Sequence, residues 1–105
     1  MTVNGQIKSV VIQNDSIIKQ FYQYNIKYPT DAKIARIQGT IILTFDLDST
    51  CSFINRRQDI ELGFGCDDAA WETLNKMEKE FKKNNDNKCN PLTKSFNIPV
   101  VFRLR

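Results

Sequence analysis

The side chains that most often carry catalysis are missing from this chain. Its 105 residues include no histidine, which removes the commonest general base and every Ser–His or Cys–His pairing. The three cysteines, Cys51, Cys66 and Cys89, show no Cys-x-x-Cys spacing, so they do not read as a zinc site. No cofactor is expected, and the chain does not read as an enzyme. The chemistry that remains belongs to the main chain. In the last stretch, Thr93 to Arg105, Phe96, Ile98, Val100, Phe102 and Leu104 share one face, and Ser95, Asn97, Pro99, Val101 and Arg103 the other. That period of two marks a half-buried β-strand. Pro99 has no N–H to give a ladder, so the side it points to is expected to be unpaired. An unpaired edge backed by an apolar face can accept a second extended peptide. Ser95, Asn97, Pro99, Val101 and Arg103 are therefore the candidate peptide-binding residues. Two plainer readings stay open: an edge merely protected by Pro99 and Arg103, and an edge already filled by an N-terminal strand of the same chain.

Such an edge needs a scaffold, and the rest of the sequence supplies one. Gln6 to Gln13 reads as a short strand. Asn14-Asp15-Ser16 follows as turn and N-cap, and then Ile17, Ile18, Phe21 and Tyr22 form one apolar face of a short helix. That helix must stop before Pro29, and Asp31 to Ala35 allows one further turn. Gly39 to Asp48 is the cleanest strand, with Ile41, Leu43, Phe45 and Leu47 on its inner face. A turn-rich segment, Asp48 to Ser52, implies a hairpin into a second strand from Phe53 to about Ile60, whose Asn55-Arg56-Arg57-Gln58-Asp59 keeps almost no apolar alternation. Gly63-Phe-Gly65 breaks the chain. Asp67 or Asp68 is then expected to cap a helix to about Lys83, with Ala70, Leu74, Met77 and Phe81 as its core stripe. The fold class is α+β, a two-layer sandwich of an antiparallel three-stranded sheet with two helices on one face, and Gln6 to Gln13 leaves open a fourth, N-terminal strand.

This layout also suggests how the cysteines lie. Cys51 at the hairpin tip should share one end of the sandwich with Cys89, just past the long helix, while Cys66 opens that helix at the other end. In an oxidising compartment Cys51–Cys89 is the candidate disulfide; three reduced thiols fit equally well. The net charge of +3 and pI near 8.8 suit an anionic partner without demanding one. The basic residues are scattered among acidic ones, which argues against nucleic acid as the partner. No run approaches the ~18–20 apolar residues of a membrane span. Met1 to Gln6 lacks the basic and apolar regions of a signal peptide. The chain is thus cytoplasmic as written, or a piece of an exported parent.

Several pieces occur in a telling order: Asn25-Ile-Lys-Tyr-Pro29, Ala32, Ile37-Gln-Gly39 leading into Thr40 to Phe45, Gly63-Phe-Gly-Cys-Asp-Asp-Ala-Ala70, Met77, and Phe96-Asn-Ile-Pro-Val-Val-Phe102. Together they resemble the C-terminal domain of TonB-type energy transducers, most closely its Bacteroidetes branch. The resemblance divides the chain into an N-terminal extension, 1–15, and a TonB-like domain, 16–105. It implies a periplasmic domain that grips the TonB box of an outer-membrane transporter by adding it as a strand beside the last strand. Arg36 and Gln38, flanking the first core strand, become possible partner contacts. Inner-membrane motor proteins would be reached through an anchor and linker that these 105 residues do not contain. Edge strands also make a homodimer conceivable. The alternative is a TonB-like interaction or scaffolding module of a periplasmic sensor or another envelope protein, without energy transduction. There are departures from the pattern. Cys51 stands about where Asp-Gly is common in the hairpin. Met77-Glu-Lys-Glu-Phe81 lacks the prolines that usually end the second helix, which should therefore run about a turn longer. Asn87-Lys-Cys-Asn-Pro91 replaces the customary Asn-Gly.

Overall fold

In the computed structural model, which describes residues 14–91 and 95–104, the alternation of Gly39–Leu47 becomes strand β1. Ile41, Leu43 and Phe45 are fully buried and Leu47 nearly so, while the residues between them are half-buried. Helix α1 (Asn14–Tyr22) and the single turn α2 (Thr30–Ile34) precede it; β2 (Phe53–Asp59), α3 (Cys66–Asn84) and β3 (Phe96–Phe102) follow. The three strands form one antiparallel sheet in the order β2-β1-β3. The proposed strand at Gln6–Gln13 lies outside the described residues.

The helices supply the second layer. Ile17 and Phe21, one turn apart on α1, are buried, as are Ala70, Leu74, Met77 and Phe81 on α3. They meet the inner residues of the sheet, and Phe45 stacks between Phe53 and Phe96 at centroid distances of 4.4 and 5.4 Å. Each such side chain contributes about 1.5–3 kcal/mol by leaving water, which is why periodicity alone sufficed to place β1, α3 and β3. Tyr28 stands edge-on to Phe102 and its hydroxyl donates to the Ile37 carbonyl. The Tyr28-Pro29 step therefore pins the segment after α1 beside the sheet.

The long helix does not begin as the sequence suggested. Neither Asp67 nor Asp68 caps it. Gly65, in the left-handed region at φ 87°, occupies the cap position with no side-chain bond. Asp67 lies one residue inside the helix, and its carboxylate reaches back to the N–H groups of Leu62 (3.1 Å) and Gly63 (2.8 Å). It fixes the approach to the helix rather than the first turn. At the other end α3 runs to Asn84.

At the hairpin, the Asp48 carboxylate accepts from the N–H groups of Thr50 and Ser52, both at 2.9 Å. This lets Cys51 adopt a positive φ of 68° where glycine would be usual. Cys51 is bonded to Cys89 with their Cα atoms 5.2 Å apart. The bridge spans 38 residues, a loop for which cross-linking the unfolded chain is worth about 2–4 kcal/mol. Cys66, buried and unbridged, begins α3. Burial, with Asp67 beside it, pushes its thiol pKa up and keeps it protonated.

Candidate functional site

The two outer strands of the sheet are finished in different ways. Phe53 of β2 stands opposite Leu47. Its N–H donates to the Glu78 carboxylate at 2.7 Å, and its carbonyl accepts from Arg56 Nε at 2.8 Å. Both groups therefore point away from β1. Arg56 continues to Asn75 Oδ1 (2.5 Å) and Glu78 (3.0 Å), with its guanidinium 5.8 Å from the Trp71 ring centre. Trp71 Nε1 donates to Gln58 at 2.8 Å, and Gln58 Nε2 donates to Asp67 at 2.7 Å. Asp67, Trp71, Asn75 and Glu78 recur at helical spacing along α3. They form a polar stripe beside its buried one, and the stripe takes up the outer main-chain groups of β2 at Phe53.

The same contacts fix the direction of every backbone group further across the sheet. In an antiparallel ladder bonded and non-bonded pairs alternate. Because Phe53 turns away from Leu47, the residues of β1 that bond to β2 are Asp46, Thr44 and Ile42. The register shift places three steps of β2 (Ile54 to Arg57) against two of β1 (Asp46 to Thr44), so the extra residue is in β2 and β1 keeps its alternation. Ile41, Leu43 and Phe45 consequently bond to β3, where they face Val100, Ile98 and Phe96. Asn97, Pro99 and Val101 are left with their main-chain groups directed to the far side of β3. Pro99, opposite Ile42, thus costs the ladder nothing. Among the described residues no strand pairs with that side.

The five candidate residues occupy this edge unequally. Strand β3 spans Phe96–Phe102, so Ser95 and Arg103 flank it. Ser95 Oγ donates to Asp46 at 2.5 Å and accepts from Arg57 at 3.1 Å. Asn97 is exposed, with its Oδ1 accepting from Thr44 at 2.9 Å. Pro99 is half-buried, Val101 is exposed, and Arg103 is exposed with no ion pair among the described residues. The Asp46 carboxylate also takes Asn55 Nδ2 at 2.9 Å. The hydrogen bonds from Ser95 and Asn55, with Arg57 nearby, hold its pKa below the ordinary value against a small opposing effect of burial. Of the two possible partner contacts, Arg36 is exposed, whereas the Gln38 side chain accepts the Leu104 N–H at 3.0 Å. Gln38 ties the chain leaving β3 to the chain entering β1.

Periodicity could not reveal the part played by Tyr22. Helix α1 packs against β3, and Tyr22 at its end is 43% exposed, edge-on to buried Phe21 at 5.7 Å. Burial raises the Tyr22 pKa, and a hydrogen bond from the Val101 backbone draws it back. In the sequence, Tyr22 was simply one more member of an apolar helix face.

These elements define a two-layer α+β domain on a three-stranded antiparallel sheet, and among the described residues no helix is long and apolar enough to cross a membrane. Residues 24–104 match the family model for the Gram-negative bacterial TonB protein C-terminal, and the chain belongs to that family. The family is periplasmic and non-enzymatic. Membership implies a TonB-type energy-transduction role, with TonB-dependent outer-membrane receptors as partners. Comparison with curated proteins and with solved structures returned no match.

Proposed function

We propose that this domain, taken as residues 16–105, captures the TonB box of an outer-membrane receptor by adding it as a strand to the outer side of β3. The capture supports energy-coupled uptake. The Asn25 to Pro29 phrase and the position of Cys66 favour the Bacteroidetes branch of the family. One observation carries the reading: the main-chain groups of Asn97, Pro99 and Val101 are directed outward along a side of β3 that no described strand occupies. That Glu78 and Arg56 take the outward groups of Phe53 on the opposite rim supports β3 as the side for a visiting strand.

The grip is weak by construction. Each main-chain hydrogen bond contributes about 0.5–1.5 kcal/mol net, and a few rungs must also offset the cost of association. Micromolar affinity is the expected scale. That suits a contact which is made, pulled on and released.

The test is a titration of the isotope-labelled domain with short synthetic peptides from receptor N-terminal segments, followed through backbone amide shifts. Saturable shifts running from Ser95 to Arg103 support strand addition. Shifts confined to α2, the hairpin or α3 would refute this site.

A further inference from the structure

A strand laid against the outer side of β3 brings its side chains, as well as its main chain, to this sheet. Directly opposite residues of paired strands project to the same face. The visitor's residues opposite Asn97, Pro99 and Val101 therefore stand on the open face, away from the helices. That face changes character along β3. At the start Asn97 belongs to a polar row: its Oδ1 accepts from Thr44 at 2.9 Å, and Arg57 lies beyond Thr44 on β2. Its Nδ2 has no acceptor among the described residues. In the middle Pro99 lies beside Ile42, and both are half-buried. Val101, beside Thr40, is 45% exposed, more than any other large apolar side chain described in the three strands. Arg103 follows at the exit, exposed and with no ion pair among the described residues. The bond from the Leu104 N–H to Gln38, at 3.0 Å, holds the chain there beside the entry to β1.

We propose that the open face beside β3 selects the captured segment by its alternate side chains: an oxygen-bearing one beside Asn97, apolar ones beside Pro99 and Val101, and an acidic one beside Arg103. The proposal rests on the strand-addition reading and adds a rule for the partner's sequence. Main-chain bonds are nearly the same for every extended peptide, so they do not choose among peptides. Side-chain matches do. An oxygen beside Asn97 takes its free amide hydrogens. Branched apolar residues beside Pro99 and Val101 widen the apolar row begun by Ile42 and draw Val101 out of water. A carboxylate beside Arg103 meets a charge that no described acid has claimed, and the net charge of +3 favours it further. The order is fixed along β3, so one segment reads it forwards if parallel and backwards if antiparallel.

Synthetic peptides of one composition test the rule. The matched peptide carries Thr, Val, Val and Glu at four alternate positions with serine between them, made in both directions. The scrambled one carries Val, Thr, Glu and Val at the same positions. The tighter matched peptide should bind about tenfold better than the scrambled one, the sum of several exposed cross-strand pairs. Arg103→Glu should weaken the matched peptide about two- to fivefold and strengthen a version with Lys in place of Glu by a similar factor, an effect that fades at high salt. Val101→Thr keeps a β-branched side chain at the edge and should weaken the matched peptide about twofold without weakening the scrambled one. If all the peptides shift the amides from Ser95 to Arg103 with equal affinity, or Arg103→Glu leaves the charge preference unchanged, the side-chain rule is wrong while strand addition stands. If neither these peptides nor receptor N-terminal segments shift those amides, strand addition fails and the rule falls with it.

Discussion

The β2 and β3 rims of this sheet solve the same problem with opposite chemistry. An outer strand exposes a row of donors and acceptors that invites other chains to pair with it. On β2 the invitation is withdrawn by charged side chains: Glu78 takes the Phe53 N–H, Arg56 takes the Phe53 carbonyl, and the two join each other at 3.0 Å. On β3 no described side chain is spent on the carbonyls, and the limit comes from Pro99, which has no N–H to offer. One rim is held at Phe53 by contacts that a visitor would have to break. The other has no strand beside it among the described residues. A sheet with two equal edges could pair with visitors or with copies of itself on either side, and this difference is what the proposed capture on β3 relies on.

The largest expected effect tests the alternation on which this contrast depends. Ile98 gives its N–H to β1 and is fully buried, so Ile98→Pro breaks a central rung and empties a core site, at a cost of about 4 kcal/mol or more. Asn97→Pro, one residue away, removes an outward N–H instead. It should lower stability by less than about 1 kcal/mol, the scale of its exposed side-chain bond to Thr44, yet weaken peptide capture severalfold. Urea unfolding separates the two. Equal destabilisation would mean that the outward and inward residues of β3 have been assigned wrongly.

A smaller effect addresses the closed rim. Glu78→Ala leaves the Phe53 N–H and the Arg56 guanidinium without their acceptor. The loss should be about 1–2 kcal/mol, governed mainly by the half-buried N–H; the ion pair adds little because its side chains remain 28% and 21% exposed. Glu78→Gln keeps an oxygen for Phe53 and should recover most of this. The more telling readout is association. With β2 unsealed, sedimentation velocity should show concentration-dependent dimers that Glu78→Gln does not form. A strictly monomeric Glu78→Ala protein would show that α3 does not guard this edge.

How much of this was legible in the sequence follows from where the periodicity was clean. The inner faces of β1, α3 and β3 are apolar at their proper spacing, and hydrophobic burial decided them. Strand β2 looked bare because Arg56 and Gln58 break its apolar alternation. Their hydrogen bonds to Asp67, Trp71, Asn75 and Glu78 compensate for the missing apolar burial, and that stripe is visible only once the strand and the helix are brought together. Pro99 was the exception. A missing N–H is written in the residue type, so it signals a direction in the sheet without any knowledge of the neighbours.

The smallest effect concerns the point where the two rims are joined across the exposed face. Asp46 of β1 accepts from Asn55 in β2 and from Ser95 at the entry to β3, so its charge orders both sides. Its folded pKa is lowered, first by Ser95 and then by Asn55. A lowered carboxylate pKa means the contribution is fully present above the ordinary Asp value of about 3.9 and is lost as pH falls through the folded value. Comparing wild type with Asp46→Asn across that range cancels the background from other carboxylates such as Asp48, whose pKa is also lowered. The stability difference between the two proteins should shrink as the solution is acidified. The Ser95 and Asn97 amides should shift with a midpoint below the ordinary Asp range in wild type and show no such transition in the variant. A midpoint at or above that range would mean that Asp46 does not organise the entry to β3, and that the β3 rim owes its shape to the ladder with β1 alone.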